Sequence, residues 1–356
     1  PPTGEQLLLR IAAVSLSPSD YRQLSGDTAG VKPLPGGAFP YTPGGDVAGT
    51  VVAVPAAPTA RAAHPTAASV FAVGDRVVAT WAIAGSGGLA DYGLVDARLT
   101  AACPPSVSAV DGAALANSAG HALLAVRAAT VAPGERVLVL GGGGGVGTAL
   151  VQWARAAGAG FIAATGADAG RLAATGVDEA IPYGEREWST LPPGTPPYDV
   201  VFDCAVGDAA WAAVTAAPLG AVLKGAHDGG RCLAIHHAAR IVMHGWVDLV
   251  RWSVRAAARV AVNRCRRAEP RYIDFIGRVD GGVLREVLAA AADGTLRAVI
   301  EPAGPFPQTT EGVRAAFNLH ASRHARGKVV IRVAPETGGG WQGGATTQPS
   351  GPERGG

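Results

Sequence analysis

The chain has 356 residues, of which 48% are hydrophobic, and its formal net charge is +2. This length and apolar content predict two globular domains with their own cores, and they exclude a disordered chain. The net charge is too small to indicate a nucleic-acid partner or an acidic substrate.

The cysteines and the apolar runs indicate the kind of compartment in which the protein works. The four cysteines are scattered at positions 103, 204, 232 and 265. They form no Cys-x-x-Cys pair, so they favour a reducing compartment over a disulfide framework or a cysteine-based zinc site. No uncharged apolar run reaches about 18 residues, which predicts no transmembrane helix. The chain begins abruptly before a strand, and any targeting peptide is expected to lie outside it.

Short strands alternate with turns over about the first 100 residues. They are expected at 7–14, 47–54, 71–80 and 87–95. Turns at intervals of about ten residues predict an irregular β-barrel. The Ala/Pro/Thr-rich segment 55–69 is expected to be a surface loop.

After residue 106 the pattern changes to alternating helices and strands. Helices are expected at 111–127, 146–157, 169–175, 282–292 and 310–320, and strands at 137–140, 161–165, 198–203, 231–235, 296–300 and 328–333. This alternation predicts a parallel sheet with helices on both faces. The Gly-rich end, 338–356, is expected to be a disordered tail.

A run of five glycines follows the strand at 137–140. Within it and the start of the next helix, Gly142, Gly144 and Gly147 fit Gly-x-Gly-x-x-Gly. In a strand–turn–helix unit such glycines permit a tight turn, close approach of N–H groups to a pyrophosphate, and close packing of helix on strand. The phosphates would lie at the helix N-terminus. A chance match in a glycine-rich chain is the alternative, and the flanking strands favour nucleotide binding.

Six short motifs occur in a fixed order along the chain. They are Ser17-Pro-Ser-Asp-Tyr21, Pro43-Gly-Gly-Asp46, Val73-Gly-Asp-Arg76, Pro133-Gly-Glu-Arg-Val137, the glycine turn and His324-Ala-Arg-Gly-Lys328. By these motifs the chain resembles the zinc-free quinone oxidoreductase branch of the medium-chain dehydrogenase/reductase superfamily over about residues 4–334. Its closing segment, from Arg271 on, resembles the reticulon-interacting mitochondrial NADPH oxidoreductases and their plastid relatives.

The resemblance implies an α/β fold made of a GroES-like irregular β-barrel domain and a doubly wound Rossmann domain. The expected division is 1–120 for the GroES-like domain, without one or two opening strands of the family. The NADP-binding domain follows at 121–299, with a return to the first domain at 300–335 and a tail at 336–356. The resemblance also implies a mitochondrial or plastid location and a homodimer or a subunit of a larger assembly.

The family's zinc-dependent alcohol dehydrogenases carry a cysteine and a histidine where this chain has Ser17 and Gly45. Neither residue offers a thiolate or an imidazole, so no catalytic zinc site is expected. Without a metal to polarise a carbonyl, the implied reaction is hydride transfer from NADPH to an acceptor that is already electron-poor. A quinone or an α,β-unsaturated carbonyl is such an acceptor.

The choice between NADPH and NADH depends on the end of the second strand. NAD-binding members place an acid there, about 19 residues after the last motif glycine, and this position holds Gly166. Asp168 is interpreted as a helix N-cap. Tyr183 matches a tyrosine that packs by the 2′-phosphate in this branch, and Arg171 is either a phosphate ligand or a solvated helix residue. The predicted cofactor-binding residues are Gly142, Gly144, Gly145, Val146, Gly147, Thr165, Gly166, Arg171, Tyr183 and Lys328.

Three residues are candidates for catalysis. Tyr21 and Asp20 lie in the motif that lines the family's cleft, where they would donate a hydrogen bond and relay a proton. For Asp20 a buried structural hydrogen bond is an equally good interpretation, and for Tyr21 packing between domains. His121 stands where the family usually has a threonine near the nicotinamide. It would orient the substrate or donate a proton, but a satisfied histidine at a helix start is the favoured interpretation.

Two other classes stay open. One is an accessory subunit that keeps the fold and binds NADPH without turnover. The other is a protein that binds RNA or a partner, and the basic insert 241–267 is the only sequence feature that supports it. In that insert Arg251, Arg255 and Arg259 recur every four residues of an expected helix. We expect its apolar face to pack on the protein and its arginines to contact a partner or lipid headgroups, although an ordinary surface helix is the modestly favoured alternative.

Overall fold

The computed structural model describes residues 2–27, 39–55, 67–80, 87–235, 246–265 and 269–333. Most of the predicted loop at 55–69 and all of the predicted tail at 338–356 lie outside these ranges, so both stay predictions. Within the described ranges, no helix is long and apolar enough to cross a bilayer.

The described residues form thirteen strands and eight α-helices. The strands are β1 Gln6–Ser15, β2 Asp46–Ala53, β3 Arg76–Ala79, β4 Tyr92–Asp96, β5 Thr100–Ala102, β6 Arg136–Leu140, β7 Phe161–Gly166, β8 Glu179–Pro182, β9 Val200–Asp203, β10 Arg231–Ala234, β11 Arg271–Asp274, β12 Phe306–Pro307 and β13 Val330–Arg332. The helices are α1 Pro18–Leu24, α2 Ala109–Ala129, α3 Gly145–Ala156, α4 Ala169–Ala174, α5 Asp208–Ala216, α6 Trp246–Cys265, α7 Gly281–Ala292 and α8 Thr310–Ser322.

The first sheet has seven strands and is centred on β1. Its order is β12-β13-β1-β2-β3-β5, and β4 also pairs with β1. All pairs are antiparallel except β12 with β13. Two register shifts in the β1–β2 ladder bend the sheet, as bulges do in barrels. Leu7, Leu9 and Ile11 alternate into a buried core. The predicted irregular barrel is confirmed.

The second sheet has six parallel strands in the order β11-β10-β9-β6-β7-β8. Counted within this sheet, the order is 3-2-1-4-5-6, which defines a doubly wound sheet. Its strands are apolar on both faces, and Leu138, Ile162 and Phe202 are fully buried. The strand order reverses between β6 and β9, so a crevice opens beyond the carboxyl ends of these two strands.

Helix α2 connects the two sheets. It contacts β1 and β2 of the first sheet, and also α3, which packs on β6 and β7 of the second. Ala113, Ala116 and Ala119 are fully buried along it, and their small side chains let both layers approach closely. The expected domain boundary at 120/121 falls inside this helix, so the division of the chain stays a prediction.

The predicted strand at 296–300 is wrong. Only Ile300 makes a bridge there, to Lys328. The backbone of Arg297 is bonded to a side chain instead: its N–H donates to Gln152 Oε1 at 2.7 Å, and its carbonyl accepts from Gln152 Nε2 at 3.0 Å. Because these bonds satisfy both backbone groups, Arg297 has no ladder to join.

The insert forms helix α6, as predicted, although residues 241–245 and 266–267 lie outside the described residues. The expectation that its apolar face packs on the protein is wrong. Val247, Val250 and Val254 are 42%, 48% and 62% exposed. The helix contacts β11, which is the edge strand of its sheet. Because α6 packs beside an edge strand, one side of the helix stays exposed.

Candidate cofactor and active site

The glycine turn joins β6 to α3 beside the crevice. Gly141 has a φ of +83°, and a Cβ there would lie 2.7 Å from Ala205 Cβ, in the turn after β9. The N–H of Gly141 donates to Thr165 Oγ1 at 2.9 Å, and the N–H of Gly142 donates to Thr165 O at 2.8 Å. Thr165 therefore ties the turn to the end of β7.

Gly147 determines how closely α3 packs on the turn. A Cβ at Gly147 would lie 2.1 Å from Gly141 O and 2.7 Å from Gly142 Cα. These are backbone atoms that cannot rotate away, so only glycine fits. A Cβ at Gly142 would lie 2.6 Å from Ala164 Cβ. Close packing of helix on strand, one of the tasks expected of these glycines, is therefore observed.

The outer side of the turn is open. Apart from chain neighbours, no described heavy atom lies within 4 Å of a Cβ built at Gly143, and the nearest to one at Gly144 is 3.6 Å away. Gly144 is the N-cap of α3 and offers no side chain to its first turn. The N–H groups of residues 145–147 thus have no partner inside the helix. This open cradle and the helix dipole fit a pyrophosphate.

Lys328 places a cation beside the cradle. A Cβ built at Gly145 would lie 3.2 Å from Lys328 Cδ. The ammonium Nζ of Lys328 pairs with Asp46 Oδ2 at 3.4 Å, and Asp46 Oδ1 accepts from Thr80 Oγ1 at 2.9 Å. Asp46 and Lys328 are 2% and 8% exposed. Burial raises the pKa of Asp46, and the neighbouring Lys328 opposes this rise. The stem of Lys328 thus packs against the start of α3, while its ammonium group pairs with Asp46 at the start of β2.

The end of β7 brings three predicted cofactor residues together. Gly166 is the last residue of the strand, and its carbonyl accepts from Tyr183 N at 2.9 Å. The side chain of Tyr183 is 57% exposed. A Cβ at Gly166 would lie 3.0 Å from the Leu172 side chain, so packing also favours glycine here. An exposed tyrosine next to a strand-end glycine leaves a surface on which a ligand can pack.

Asp168 is the N-cap of α4, as predicted: its Oδ1 accepts from Arg171 N at 3.1 Å. Its Oδ2 lies 3.6 Å from Arg326 Nη1. The Arg171 guanidinium donates to Ile300 O at 3.2 Å and to Arg326 O at 3.0 Å, so it is anchored on the loop that carries Arg326 rather than merely solvated. The Arg326 guanidinium thus pairs with the carboxylate of Asp168, two residues beyond Gly166, and the Arg171 guanidinium is bonded to the same loop as Arg326. Arg326 was missed by the sequence reasoning, although it lies inside the motif 324–328.

Asp20 is committed to local structure. Its Oδ2 accepts from Ser17 N and Ser17 Oγ, both at 2.8 Å, and its Oδ1 accepts from Gly44 N at 2.8 Å. The residue is 5% exposed. These bonds form a capping box at the start of α1 and tie that helix to the loop before β2. The geometry favours the structural interpretation of Asp20, and its catalytic role stays a prediction.

Tyr21 and His121 lie on different helices. Tyr21 is on α1 and 38% exposed. His121 was expected at a helix start. It lies instead well inside α2, because that helix begins at Ala109. Its Nδ1 lies 3.0 Å from Asn117 O. A carbonyl only accepts, so Nδ1 carries the hydrogen, and a neutral ring then has none on Nε2. His121 would donate a proton from Nε2 only as an imidazolium.

Asn117 was also missed, since no sequence pattern marks it. Its Oδ1 is buried and has no hydrogen-bond partner within the described part of the chain. The next residue, Ser118, has its Cβ 3.7 Å from a Cβ built at Gly145, so this part of α2 borders the cradle. A buried acceptor without a partner is costly unless a ligand or water supplies a donor.

The positions of the family's zinc ligands serve other purposes here. Ser17 caps α1, and Gly45 has no side chain to coordinate. Among the described residues, no group of three His, Cys, Asp or Glu side chains could hold a metal ion. Burial raises the pKa of Cys103 to about 12 and raises those of Cys204 and Cys232 as well, which favours the thiol form of these side chains.

A cleft of about 580 Å³ lies between the end of α1 and the start of α8. Leu24, Arg314 and Phe317 are among its lining residues. It contains none of the predicted site residues, so it is distinct from the glycine cradle.

Three curated proteins are similar to this chain. A 2-methylene-furan-3-one reductase of Solanum lycopersicum is 30% identical over 93% of this chain and 72% of its own length. A chloroplastic NADPH-dependent alkenal/one oxidoreductase of Arabidopsis thaliana is 28% identical over 93% of this chain and 73% of its own. A chloroplastic quinone-oxidoreductase homolog of Spinacia oleracea is 36% identical over 58% of this chain. That alignment spans only 61% of the spinach protein. None of these names is that of the reticulon-interacting branch, which stays a prediction.

Family models and a solved structure agree with the fold. The alcohol dehydrogenase GroES-like domain model matches residues 3–105, and the zinc-binding dehydrogenase model matches residues 175–331. A mycobacterial protein solved in complex with NADPH superposes with a TM-score of 0.68 at 24% identity, covering 94% of this chain and 93% of that one. With a barrel, a doubly wound sheet and a tomato relative that is 30% identical over 93% of this chain, the chain belongs to the medium-chain dehydrogenase/reductase family, which includes quinone oxidoreductase homologues.

Proposed function

We propose that the protein is a zinc-independent oxidoreductase that uses NADPH to reduce a quinone or an α,β-unsaturated carbonyl. The observation that carries the proposal is the end of β7. There Gly166 stands in place of an acid, and Arg326 pairs with Asp168, two residues further on. Unpaired negative charge would repel the 2′-phosphate, and Arg326 offsets the charge of Asp168. The relatives named as alkenal/one and furanone reductases support the class of acceptor.

The cradle residues would hold the rest of the cofactor. Gly142 and Gly144 let the backbone approach the pyrophosphate, and the N–H groups of Gly145, Val146 and Gly147 donate to it. Lys328 supplies the counter-charge. At the other end, Tyr183 covers the 2′-phosphate beside Thr165, and Arg171 and Arg326 neutralise it. Bound there, NADPH supplies the hydride.

The chain's own residues must polarise the acceptor, since Ser17 and Gly45 provide no metal ligands. A hydrogen bond to the developing enolate oxygen takes that role, and Tyr21 is our candidate donor. Asp20 acts indirectly in this proposal, because its capping box holds α1 and therefore Tyr21 in place. His121 supplies a proton only in its imidazolium form. Asn117 Oδ1 would accept an amide N–H of the cofactor and so satisfy an otherwise orphaned acceptor.

An accessory protein that binds NADPH without turnover is the second candidate. The committed carboxylate of Asp20 and the bonded Nδ1 of His121 favour it, because neither group is poised as a proton donor. Steady NADPH oxidation with a panel of quinones and enones separates the two. Sustained turnover with one acceptor excludes the accessory role, whereas tight binding with no turnover on any acceptor excludes the reductase.

A plastid location and a homodimeric or larger assembly complete the proposal. The names of the spinach and Arabidopsis relatives support the plastid over the mitochondrion. Light scattering of the purified chain tests the assembly. Its partner in catalysis is a small molecule, and no nucleic acid is expected.

Fluorescence titration with NADPH and NADH tests the cofactor assignment. We expect NADPH to bind more tightly than NADH. Arg326→Ala should weaken NADPH binding by about tenfold, since a charge-assisted hydrogen bond contributes about 1.5 kcal/mol, and it should leave NADH binding unchanged. Arg285→Ala, at an exposed position of α7, is the control. Equal affinity of the wild-type protein for both cofactors would mean that Asp168 binds the ribose hydroxyl.

A further inference from the structure

Helix α6 carries an exposed apolar stripe along its length. Val247, Val250, Val254, Ala258 and Ala261 follow one another at intervals of three or four residues, so they share one face. All five are exposed, and the three valines are 42%, 48% and 62% exposed. The stripe begins next to Trp246, which is 74% exposed. This helix therefore presents a line of apolar side chains that nothing in the described part of the chain covers.

Arginines flank the stripe. Arg251 is exposed, and Arg255 and Arg259 follow it at intervals of four residues along the helix backbone. Arg264 lies three residues beyond Ala261, toward the C-terminal end, and Arg266 and Arg267 follow in the sequence. Asp248 is the only acid of the helix. The segment is therefore apolar on one arc and strongly cationic beside it.

The charge pattern distinguishes between two possible occupants. In a two-fold contact with a second copy, the same patch lies on both sides, so the arginine rows would face arginine rows. One aspartate per helix cannot compensate for them, and like charges across an interface are unfavourable. An anionic lipid surface instead offers apolar depth for the stripe and phosphates for the arginines.

We propose that α6 is a membrane-surface helix, which lies in the plane of an anionic bilayer with its valine stripe among the acyl chains. Trp246 then lies at the headgroup level, where amphipathic aromatic rings concentrate. The role is peripheral, since no described helix spans a bilayer. The inference does not depend on the proposed reaction, because none of these residues belongs to the cofactor cradle.

Vesicle co-sedimentation of the full chain tests the proposal. We expect binding to phosphatidylcholine vesicles that contain about one third phosphatidylglycerol, little binding to pure phosphatidylcholine, and weaker binding at high salt. The double variant Arg251→Glu/Arg255→Glu should bind at least about 30-fold more weakly, since each basic residue near the surface contributes about a factor of five. Val250→Ser/Val254→Ser should weaken binding independently of salt.

Matched controls exist elsewhere on the surface. Arg285→Glu/Arg314→Glu makes the same charge change on α7 and α8, and Val70→Ser/Val73→Ser removes two valines that are more exposed than Val250 and Val254. Both should retain vesicle binding, and all variants should keep NADPH affinity. Unchanged vesicle binding by the two α6 variants overturns the proposal. So does a change of oligomeric state by light scattering without an effect on vesicles, which would show that the stripe is a subunit interface.

Discussion

Lys328 has a structural role, as the partner of the buried Asp46, and a proposed role in binding the cofactor. The pair lies between the first sheet and the start of α3, with Thr80 as the second partner of the carboxylate. Removing one member of a buried ion pair leaves an uncompensated charge, which costs about 3 kcal/mol or more. Removing both avoids that cost. The two tasks of Lys328 can therefore be separated.

We predict that Lys328→Met lowers both the free energy of unfolding, by about 3 kcal/mol, and the affinity for NADPH. Adding Asp46→Asn should restore most of the stability but not the affinity, because Lys328 is the member of the pair that borders Gly145. Urea denaturation and cofactor titration measure the two effects. Arg127→Met, which breaks a half-exposed pair with Glu286, should change stability by less than about 1 kcal/mol.

If Lys328→Met loses stability but keeps full NADPH affinity, the lysine is purely structural and its assignment to the cradle fails. If the double variant remains as unstable as the single one, the buried carboxylate is not the source of the instability. Stability and NADPH affinity therefore test the structural and the ligand-binding role of Lys328 separately.

Single residues differ in how far sequence could identify them. Gly142 and Gly147 could be assigned because their reasons are local: a strand, a turn and a helix within a short stretch. Arg326 and Asn117 could not. Arg326 pairs with Asp168, which is distant in sequence, and Asn117 matters because its buried oxygen has no hydrogen-bond partner among the described residues. Neither a long-range pair nor a missing partner produces a periodic pattern in the sequence.

At the scale of elements, periodicity predicted helices better than it predicted their surroundings. Helix α6 was expected from its spacing, but the same spacing could not show which arc would be covered. The strand expected at 296–300 failed because Gln152 binds the backbone of Arg297, a side-chain competitor that hydrophobic pattern does not reveal. The strand–turn–helix unit at β6 and α3 succeeded because steric constraints within it fix its own geometry.

That unit yields a prediction. Gly147→Leu should abolish NADPH binding, because even its Cβ would lie 2.1 Å from the Gly141 carbonyl and would push α3 off the turn. Overpacking of this kind costs about 1–3 kcal/mol, so the first sheet should stay folded. Cofactor titration together with circular dichroism checks both parts.

The smaller change Gly147→Ala should weaken binding in the same direction, and Gly170→Ala, whose Cβ would make an ordinary 3.5 Å contact, should leave it unchanged. Retained NADPH binding by a folded Gly147→Leu protein would show that the glycine run is not the pyrophosphate turn.

At the scale of the whole molecule, the two sheets meet around α2, α3 and Lys328, and the crevice lies at the carboxyl ends of β6 and β9. The region that would hold a catalytic zinc in the family's alcohol dehydrogenases belongs to the first sheet's side of this arrangement. Here that region is a capping network: Ser17 and Asp20 close the start of α1, and Asp20 also holds Gly44. Its polar groups are hydrogen-bonded to one another and not left as metal ligands.

We therefore predict that the purified protein contains far less than one zinc per chain, and that a chelator changes neither NADPH binding nor turnover. The physical reason is the donor set: a serine and a glycine replace the family's thiolate and imidazole. Elemental analysis after expression with added zinc measures the content, with a zinc-dependent alcohol dehydrogenase processed in parallel as the control. One zinc per chain, lost together with activity on chelation, would mean that residues outside the described ranges complete a metal site and that acceptor activation is not the hydrogen-bond chemistry proposed for Tyr21.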